Sequence, residues 1–482
     1  MTAFETVIGF EIHTELLTRS KVWCGCSTQF GQPPNTQVCP ICLGLPGSLP
    51  VLNRRALELA LRACVALNCR IAPVIQFERK NYYYPDLPKN YQISQLRKNL
   101  GEAGWLEFQV GDETRRVRIN NVHLEEDAGK NIHPETPGAD YSLVDLNRAG
   151  TPLLEIVTEP DLRSAAEAAA FMNAMKSLLE YLEVSDCNMH EGRLRFELNI
   201  SQRRAGEERL GTKVEVKNLN SMKTVLRCID AEEDRQRDLL ESGESVIQET
   251  RLWDEPSGRT RAMRSKEVAH DYRYFPDPDL VEIHVDEAWV GRVRAELPEL
   301  PDARRRRFVE QYGLTDYSAG VLTARKPVAE YFESALRSHA NPVGIGNWVI
   351  NEVLRWLGED PDRELADYPV AAHDLAVLVR MIDEATISGK IAKEVYKAMM
   401  AGEGAPEAIV KAHGLVQITD TSEIEPIVAR VVAENPDTVA KIRAGKDKAI
   451  MALVGQVMKE TRGKANPQTV NELIRSRIDE MV

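Results

Sequence analysis

The chain has 482 residues, a length that suggests about three domains. Hydrophobic residues make up 43% of the chain and charged residues 28%, which is typical of a folded globular protein and excludes a disordered one. The net charge of −13 argues against broad, sequence-independent binding of nucleic acid. No apolar run reaches the ~18 residues of a membrane span, and the start resembles neither a signal peptide nor an Arg-rich transit peptide. We therefore expect a cytoplasmic protein without a membrane partner.

The first segment alternates between larger apolar residues and other residues over positions 7–13, which predicts a strand. Glu11 and His13 lie two residues apart on it, so their side chains should point to the same side. Either residue also has an ordinary interpretation, as a surface ion pair or as a structural histidine.

Eight cysteines are present, and four of them form two close pairs, Cys24-Gly-Cys26 and Cys39-Pro-Ile-Cys42, separated by 12 residues. This spacing predicts a tetrahedral structural zinc site, whose four thiolates leave no open position for chemistry. Four free thiols are the alternative, whereas disulfides are disfavoured in a reducing compartment. The other four cysteines are scattered, and we interpret them as buried or incidental thiols.

Residues 78–95 contain four tyrosines, two prolines and three cations. The prolines break any helix, so we predict an ordered, irregular loop that is not a core element. Aromatic rings beside lysines suit a nucleotide or nucleic-acid substrate, although a tyrosine-rich turn packed on a sheet would have the same composition.

Carboxylates occur in apolar surroundings through the first part of the chain. Glu125, Glu126 and Asp127 form an acidic triplet, and Glu155 lies within the apolar run PLLEIV, where a charge is costly unless it is paired or bound to a metal. Oxygen ligands on several segments suit Mg²⁺, and Lys80 could neutralise a transferred phosphoryl group. The alternatives are a helix N-terminus for the triplet and a buried salt bridge for Glu155.

Strand-like alternation recurs at residues 115–121 and 193–200, and helical spacing predicts a helix over residues 165–182 that begins at the capping box of Ser164 and Glu167. A second helix is predicted for residues 221–240, with the charged stretch 232–237 on its outer face. Prolines and an arginine run near residue 297 mark a junction, after which the pattern is helical. The last helix should begin at Asn466, with Pro467 in its first turn, and bury Val470, Leu473 and Ile474. The pattern predicts an α+β fold followed by helical domains.

Residues 441–482 carry nine basic and five acidic residues, a net charge of +4 that leaves −17 for the rest of the chain. A basic end on an acidic body is compatible with a localised RNA contact, although a solvated helical face is the commoner origin of such a tail.

The chain contains no Walker A sequence, no Gly-x-Gly-x-x-Gly, no kinase signature and no amidase or glutaminase signature. None of these common signatures is therefore available to predict a function for the chain.

Three long segments carry a resemblance to a known family: VIGFEIHTEL near the N-terminus, LEEDAGK at residues 124–130 and DLNRAGTPLLEIVTEPD at residues 145–161. With the tyrosine-rich segment, they resemble the GatB family, the B subunits of the tRNA-dependent amidotransferases. The likeness runs from residue 4 to the end of the chain. It implies a large cradle-shaped catalytic domain with a zinc knuckle (residues 1–294), a helical domain (295–407) and a small mobile, YqeY-like tail domain (408–482).

The resemblance also implies the reaction. ATP and Mg²⁺ serve to phosphorylate the side-chain carboxylate of misacylated Glu-tRNA(Gln) or Asp-tRNA(Asn). Ammonia, released from glutamine by the glutaminase (A) component of the complex and delivered through a channel, then displaces the phosphate. The A and C components and the tRNA are the implied partners, and structural zinc is the further cofactor. Which of the two misacylated tRNAs is the substrate stays open.

The residues that match the family's metal and activation site are Glu11, His13, Glu126 and Glu155, with Glu125 beside them, Lys80 at the channel mouth and Lys89 near it. Glu197 stands where many relatives carry Asp, so its role as a further metal ligand stays open. The tail is expected to contact tRNA phosphates through Lys446, Lys448, Lys459, Arg462 and Lys464. The alternative function is a tRNA-binding adaptor with the chemistry elsewhere in the complex. A metal-dependent hydrolase acting alone is disfavoured, because no nucleophile motif is present.

Overall fold

The protein is described here from a computed structural model, which covers residues 4–134, 140–263, 272–360, 363–415, 421–444, 446–461 and 464–480. The chain divides into two compact units, Met1–Asp302 and Ala303–Val482. The first is mixed α and β, and the second is helical. The predicted fold class, an α+β domain followed by helical regions, is confirmed.

The first unit contains all the strands among the described residues. In chain order they are β1 (Phe4–Glu15), β2 (Arg70–Ile71), β3 (Val74–Ile75), β4 (Glu78–Asn81), β5 (Tyr91–Ser94), β6 (Gly101–Val110), β7 (Glu113–Glu126), β8 (Lys130–Ile132), β9 (Leu143–Asp145), β10 (Pro152–Thr158), β11 (Leu194–Arg204), β12 (Val214–Lys217), β13 (Glu249–Asp254), β14 (Arg259–Ala262), β15 (Phe275–Pro276) and β16 (Ile283–His284). Its helices are α1 (Arg54–Ala66), α2 (Ala165–Tyr181), α3 (Met222–Glu241) and α4 (Glu287–Ala295).

Nine of the strands form one sheet in the order β14-β13-β12-β11-β1-β10-β7-β6-β2, with β12 and β13 parallel and the other neighbours antiparallel. The N-terminal strand β1 therefore lies in the middle of the sheet, between β11 and β10. One face of the sheet packs on the helices: Phe171 of α2 stacks on Phe10 of β1, with ring centroids 6.1 Å apart. The opposite face carries polar side chains.

The predicted strands and helices of this unit are confirmed, because residues 115–121 and 193–200 lie in or overlap β7 and β11, and the two predicted helices are α2 and α3. Ser164 caps α2 by accepting a hydrogen bond from the Glu167 amide at 3.2 Å. The placement of residues 232–237 on an outer face was wrong at two positions. Glu232 and Gln236 are fully buried, because Arg235 and Thr260 donate hydrogen bonds to the Glu232 carboxylate and make its burial tolerable.

The prediction of a loop over all of residues 78–95 was wrong at both ends. Residues 78–81 and 91–94 pair as β4 and β5, and β15 adds a third strand. All four residues of β4 (ERKN) are polar, so this strand carries no apolar–polar alternation that would have predicted it. The irregular part is residues 82–90, in which Tyr83 and Tyr84 are exposed.

The second unit is built from α5 (Pro301–Tyr312), whose first two residues precede the division, and from eleven further helices: α6 (Asp316–Thr323), α7 (Lys326–Leu336), α8 (Pro342–Trp348), α9 (Leu354–Gly358), α10 (Ala372–Asp383), α11 (Gly389–Met400), α12 (Pro406–Ala412), α13 (Thr421–Glu434), α14 (Pro436–Arg443), α15 (Ile450–Glu460) and α16 (Pro467–Glu480). A π-helix, Val349–Val353, joins α8 to α9, and short 3-10 helices occur at Leu365–Asp367 and Asp447–Ala449. Asn466 caps α16, which buries Val470 and Ile474 as predicted, while Leu473 is only partly buried.

The described residues form three hydrophobic clusters: one in the first unit and two, between residues 308 and 410 and between residues 424 and 478, in the second. Leu297 and Leu300 pack against the first cluster, and Ile409 and Val410 belong to the second. The domain boundaries at 294/295 and 407/408 stay predictions. None of the helices in the described part of the chain has the length and apolar character needed to cross a bilayer.

Candidate functional site

The polar face of the large sheet brings two predicted site residues and one unpredicted residue into a row across three strands. His13 of β1 lies opposite Glu155 of β10, and Glu155 lies opposite His123 of β7. Because neighbouring strands are in register, residues paired in this way project from the same face. Glu11 and His13 lie on the same strand, β1, as predicted. The pairing of β10 with β7 brings Glu125 to the same face as His123 and Glu155.

His13, Glu125 and Glu155 form a cluster with the spacing of metal ligands. The His13 Nε2 atom is 3.4 Å from Glu155 Oε2 and 3.9 Å from Glu125 Oε1. His123 Nε2 is 3.0 Å from the same Glu155 oxygen, and the Ser94 hydroxyl donates to Glu125 at 3.0 Å. All four charged residues are largely buried, so the cluster concentrates charge where water screens it little.

His123 supplies the positive charge of this cluster. Burial alone would lower its pKa, but Glu155 and Glu125 outweigh burial and raise the pKa of His123 to about 10. Burial likewise acts against ionised Glu155, yet His123 and His13 hold the pKa of Glu155 well below its usual value. Glu155 is thus ionised at neutral pH, and an imidazolium balances it.

One atom in the cluster lacks a hydrogen-bond partner among the described residues: the buried Nδ1 of His13. Unpaired polar atoms are rare in protein interiors, and those that occur are often found at functional sites. The Nε2 atom of His13, the ionised Glu155 and the spacing of the three side chains together fit a bound divalent cation.

A second cluster lies on the same face, two residues further back along β1. Glu11, Glu197 of β11 and Glu215 of β12 have carboxylate oxygens at metal-ligand spacing. Lys217 Nζ approaches Glu197 at 3.2 Å and Glu215 at 3.1 Å, and the Asn199 amide donates to Glu11 at 3.1 Å. Burial and the nearby Glu155 raise the pKa of Glu11. Its all-oxygen ligand set suits Mg²⁺ better than the mixed cluster at His13 does.

Glu126 belongs to neither cluster. Adjacent residues of a strand point to opposite faces, so Glu126 diverges from Glu125. Lys89 donates a hydrogen bond to its carboxylate, as does the amide of Ile93 at 2.8 Å. Lys89 and Glu126 therefore form a buried ion pair on the opposite side of β7 from Glu125, and the role of Glu126 as a metal ligand stays a prediction.

Lys80 of β4 lies among aromatic rings, with its Nζ 5.1 Å from the ring centroid of Tyr272 and 5.9 Å from that of Tyr82. Burial alone would lower its pKa, but Glu125, Tyr274 and Glu155 raise the pKa of Lys80 above its usual value. Lys80 is thus a permanent cation in the field of the first cluster, as expected for a residue that meets an anionic group.

Two residues of this face were missed in the sequence, His123 and Glu215. Both could have been found from alternation. His123 precedes Glu125 by two residues in NNVHLEE, and Glu215 lies at the polar position of VEVK.

The four cysteines of the predicted zinc site lie together, with Sγ atoms all within 4.8 Å of one another. The Cys39 and Cys42 sulfurs are 3.9 Å apart, which is too long for a disulfide and close to the edge of ~3.8 Å that a tetrahedron with Zn–S bonds of ~2.3 Å requires. A hydrogen bond from Cys24 is the largest cause that lowers the pKa of Cys42 to about 4, and the buried Lys21 ammonium, 3.6 Å from its sulfur, acts in the same direction. A thiolate-binding metal fits these residues.

Three of the lysines predicted to bind tRNA, Lys446, Lys448 and Lys459, are exposed, and Lys464 is half-buried. Arg462 lies outside the described residues. The described lysines lie on or beside α15, whose Leu453 and Val457 face the third hydrophobic cluster.

Comparison with known proteins identifies the family to which the chain is similar. Residues 6–291 match the family model of the GatB/GatE catalytic domain, and residues 330–478 match that of the GatB domain. The chain is 50% identical over 479 residues to the B subunit of the aspartyl/glutamyl-tRNA(Asn/Gln) amidotransferase of Carboxydothermus hydrogenoformans, covering 99% of each chain. The proteins of the same name from Moorella thermoacetica and Caldanaerobacter subterraneus are 52% and 51% identical over 475 residues, covering 98% of this chain and 100% and 99% of their own.

The chain belongs to the GatB family, the B subunits of the tRNA-dependent amidotransferases, which are ligases. The resemblance stated from the sequence is therefore confirmed.

Proposed function

We propose that this chain activates the side-chain carboxylate of Glu-tRNA(Gln), Asp-tRNA(Asn) or both by phosphorylation with ATP, and that ammonia then converts the activated group to the amide. Support comes from the names of its relatives, which are subunits of an aspartyl/glutamyl-tRNA(Asn/Gln) amidotransferase. The observation that carries the proposal is the pair of carboxylate clusters on β1 and its neighbours, at His13 and at Glu11.

The chemistry explains why ATP is needed. A carboxylate is a poor acceptor for ammonia, because its leaving group would be an oxide ion. In the first step a side-chain carboxylate oxygen of the aminoacyl group on the tRNA attacks the γ-phosphorus of ATP. The bond between that phosphorus and the β,γ-bridging oxygen breaks, which releases ADP. Ammonia then attacks the carbonyl carbon of the acyl phosphate. The bond between that carbon and the phosphate oxygen breaks, inorganic phosphate leaves with its electron pair, and loss of a proton from nitrogen gives the amide.

The residues of this chain would bind and orient these groups. Glu11, Glu197 and Glu215 offer the hard oxygen ligands of a Mg²⁺ site, and His13, Glu125 and Glu155 offer a second cation site. When bound, Mg²⁺ neutralises charge on the phosphates of ATP. Lys80 adds a positive charge near Glu125 and Glu155. Lys89 is held in a buried ion pair by Glu126.

Ammonia would come from a glutaminase partner, because the chain carries no amidase or glutaminase signature. We propose the A and C components of the amidotransferase as the assembly partners. The cysteines Cys24, Cys26, Cys39 and Cys42 would hold a structural zinc ion, and the basic tail would bind tRNA phosphates.

The experiment is a comparison of Glu155→Gln with Glu102→Gln in the assembled complex. Glu102 is an exposed carboxylate on β6 of the same sheet, in an ion pair with Arg70. Glu155→Gln should lower formation of amidated tRNA about a hundredfold or more, since it removes a ligand charge from a desolvated site. Glutamine hydrolysis by the partner should change little.

The measurement is the formation of ADP and of amidated tRNA from ATP, glutamine and misacylated tRNA. Near-normal product with Glu155→Gln would refute the activation site and favour the alternative of a tRNA-binding adaptor. A similar loss with Glu102→Gln would show that the effect is not specific to the cluster.

A further inference from the structure

The turn of residues 39–44, which carries two of the four cysteines, ends in a conformation that only glycine adopts readily. The amides of Leu43, Gly44 and Leu45 donate to the carbonyls of Cys39, Ile41 and Pro40 at 3.1, 3.0 and 2.9 Å. Gly44 has a φ of +66°, in the left-handed region that disfavours side chains. The turn is therefore fixed both by its own hydrogen bonds and by the cysteine cluster.

Gly44 lies directly against Lys89. A Cβ atom added at Gly44 would be 2.5 Å from Lys89 Cγ and 3.2 Å from both its Cα and its Cβ. Because a backbone atom of Lys89 is also close, a rotation of the lysine side chain alone would not relieve the overlap. Even the smallest side chain at position 44 must therefore displace Lys89.

Lys89 has little freedom to accept such a displacement. Its side chain is 7% exposed and that of its partner Glu126 is 3% exposed. The same carboxylate accepts the Ile93 amide of β5 at 2.8 Å, which fixes the position that the ammonium must reach. A displaced Lys89 would lose this partner without gaining solvent.

Gly150 lies between the cysteine cluster and the ion pair. A Cβ atom added at Gly150 would lie 3.6 Å from Cys42 Cβ and 3.8 Å from Glu126 Oε2. Gly150 is itself tied to the segments on both sides, because its carbonyl accepts the Val22 amide and its amide donates to the Asp127 carbonyl, each at 2.9 Å. The backbone at Gly150 thus packs against both the cysteine cluster and the Lys89–Glu126 pair.

From these contacts we infer that the cysteine-bearing turn positions the Lys89–Glu126 pair for the carboxylate activation reaction, and that Gly44 is the positioning residue. The inference rests on the proposed function and deepens it. The knuckle then has a role beyond stabilising its own loop: it sets where the ammonium of Lys89 lies against Glu126, the residue that follows Glu125 on β7.

Gly47 provides a matched control in the same loop. It has a φ of +85°, but a Cβ atom there would meet nothing within 4 Å. Gly44→Ala and Gly47→Ala therefore carry the same kind of backbone strain, and only the former reaches Lys89. The comparison separates the contact from the strain.

The experiment measures kcat and KM for amidated tRNA formation in the assembled complex, together with zinc per chain. We expect Gly44→Ala to lower kcat about tenfold or more, with little change in KM for ATP or tRNA, and Gly47→Ala to change kcat by less than about twofold. In a Lys89→Met background, Gly44→Ala should lower kcat no further than Gly47→Ala does, because the ammonium whose position the added methyl group would alter is gone.

Hydrogen exchange of the Ile93 amide is the second measurement, and it remains informative if Gly44→Ala lowers the folded fraction. The amide should exchange faster in Gly44→Ala than in Gly47→Ala, with rates compared per zinc-loaded chain. Equal kcat and equal exchange in the two alanine variants, with Lys89→Met impaired, would overturn this inference alone. A normal kcat in Lys89→Met would overturn the role of the pair in the proposed function, and this inference with it.

Discussion

The buried pair of Lys89 and Glu126 should contribute measurably to the stability of the first unit. Lys89→Met keeps the unbranched stem but removes the ammonium, so Glu126 is left as a buried carboxylate with only the Ile93 amide as a described hydrogen-bond donor. Removing one partner of a buried ion pair costs about 3–5 kcal/mol, and the surviving backbone hydrogen bond puts the expected cost near about 3 kcal/mol. Adding Glu126→Gln should recover about 2 kcal/mol, because the amide oxygen still accepts from Ile93 and no charge stays buried.

The matched control is Lys98→Met, the same substitution in an ion pair with Glu282 whose side chains are 41% and 46% exposed. An exposed pair contributes at most about 1 kcal/mol, so this variant should be nearly as stable as the parent. Hydrogen exchange read on peptides from β5 and β7 gives the free energy of opening where the pair lies. Peptides from α10 serve as a reference in the second unit. If Lys89→Met costs no more than Lys98→Met, the pair does not stabilise the fold and the argument from burial is refuted.

Three further predictions concern the metal, the tail and a buried carboxylate. The purified chain should bind about one zinc ion, and Cys42→Ser should lose it, as metal analysis would show; less than half an equivalent in the parent would contradict the site. Substituting Lys446, Lys448 and Lys459 by alanine should raise the KM for tRNA and lower the slope of its log–log salt dependence by up to about 2–3. Alanine at Lys390 and Lys397, which are exposed and lie outside the tail, should do neither, and identical salt slopes would argue against a tail contact. Burial opposes the ionised form of Glu232, but hydrogen bonds from Arg235 and Thr260 hold the pKa of Glu232 below its usual value. The ionised carboxylate therefore stabilises the fold above about pH 4.5, and this contribution is lost as the pH falls through the lowered pKa. Glu232→Gln should therefore flatten the acid side of the stability profile, and a parallel profile would show that Glu232 is not the cause.

The extent to which the sequence predicted the fold depended on how local the signal was. Helix α2 was predicted with its cap, because Ser164, Glu167 and the apolar spacing all lie within one segment. The strands β4 and β5 were missed, because their pairing joins residues on either side of a loop whose tyrosines and prolines dominate the composition. Glu232 was misplaced for a similar reason: the partner that completes its burial, Thr260, is 28 residues away.

In the candidate site, too, features set by neighbouring residues were predicted from the sequence and features set by pairing between distant strands were not. Glu11 and His13 were correctly expected to share one side of a strand, because alternation along a strand is a local property. Which carboxylates meet was not accessible in this way, since it depends on the register between β1, β7, β10, β11 and β12. The predicted ligands divide into two clusters for that reason, with His123 and Glu215 added by their strands and Glu126 drawn away by Lys89.

The central position of β1 has a consequence for how the protein is made. Of the strands in this sheet, β1 is synthesised before all the others, yet its two neighbours in the sheet, β10 and β11, are about 150 and 190 residues away along the chain. At a synthesis rate of about 5–20 residues per second, the ribosome needs roughly 10–40 s to produce them. For that time both edges of β1, which has one apolar face, lack their partners, and unpaired edges of this kind make a nascent chain prone to aggregate. The row of His13, Glu155 and His123 can form only when β10 closes against β1 and β7, so it cannot form until about a third of the 482 residues have been synthesised.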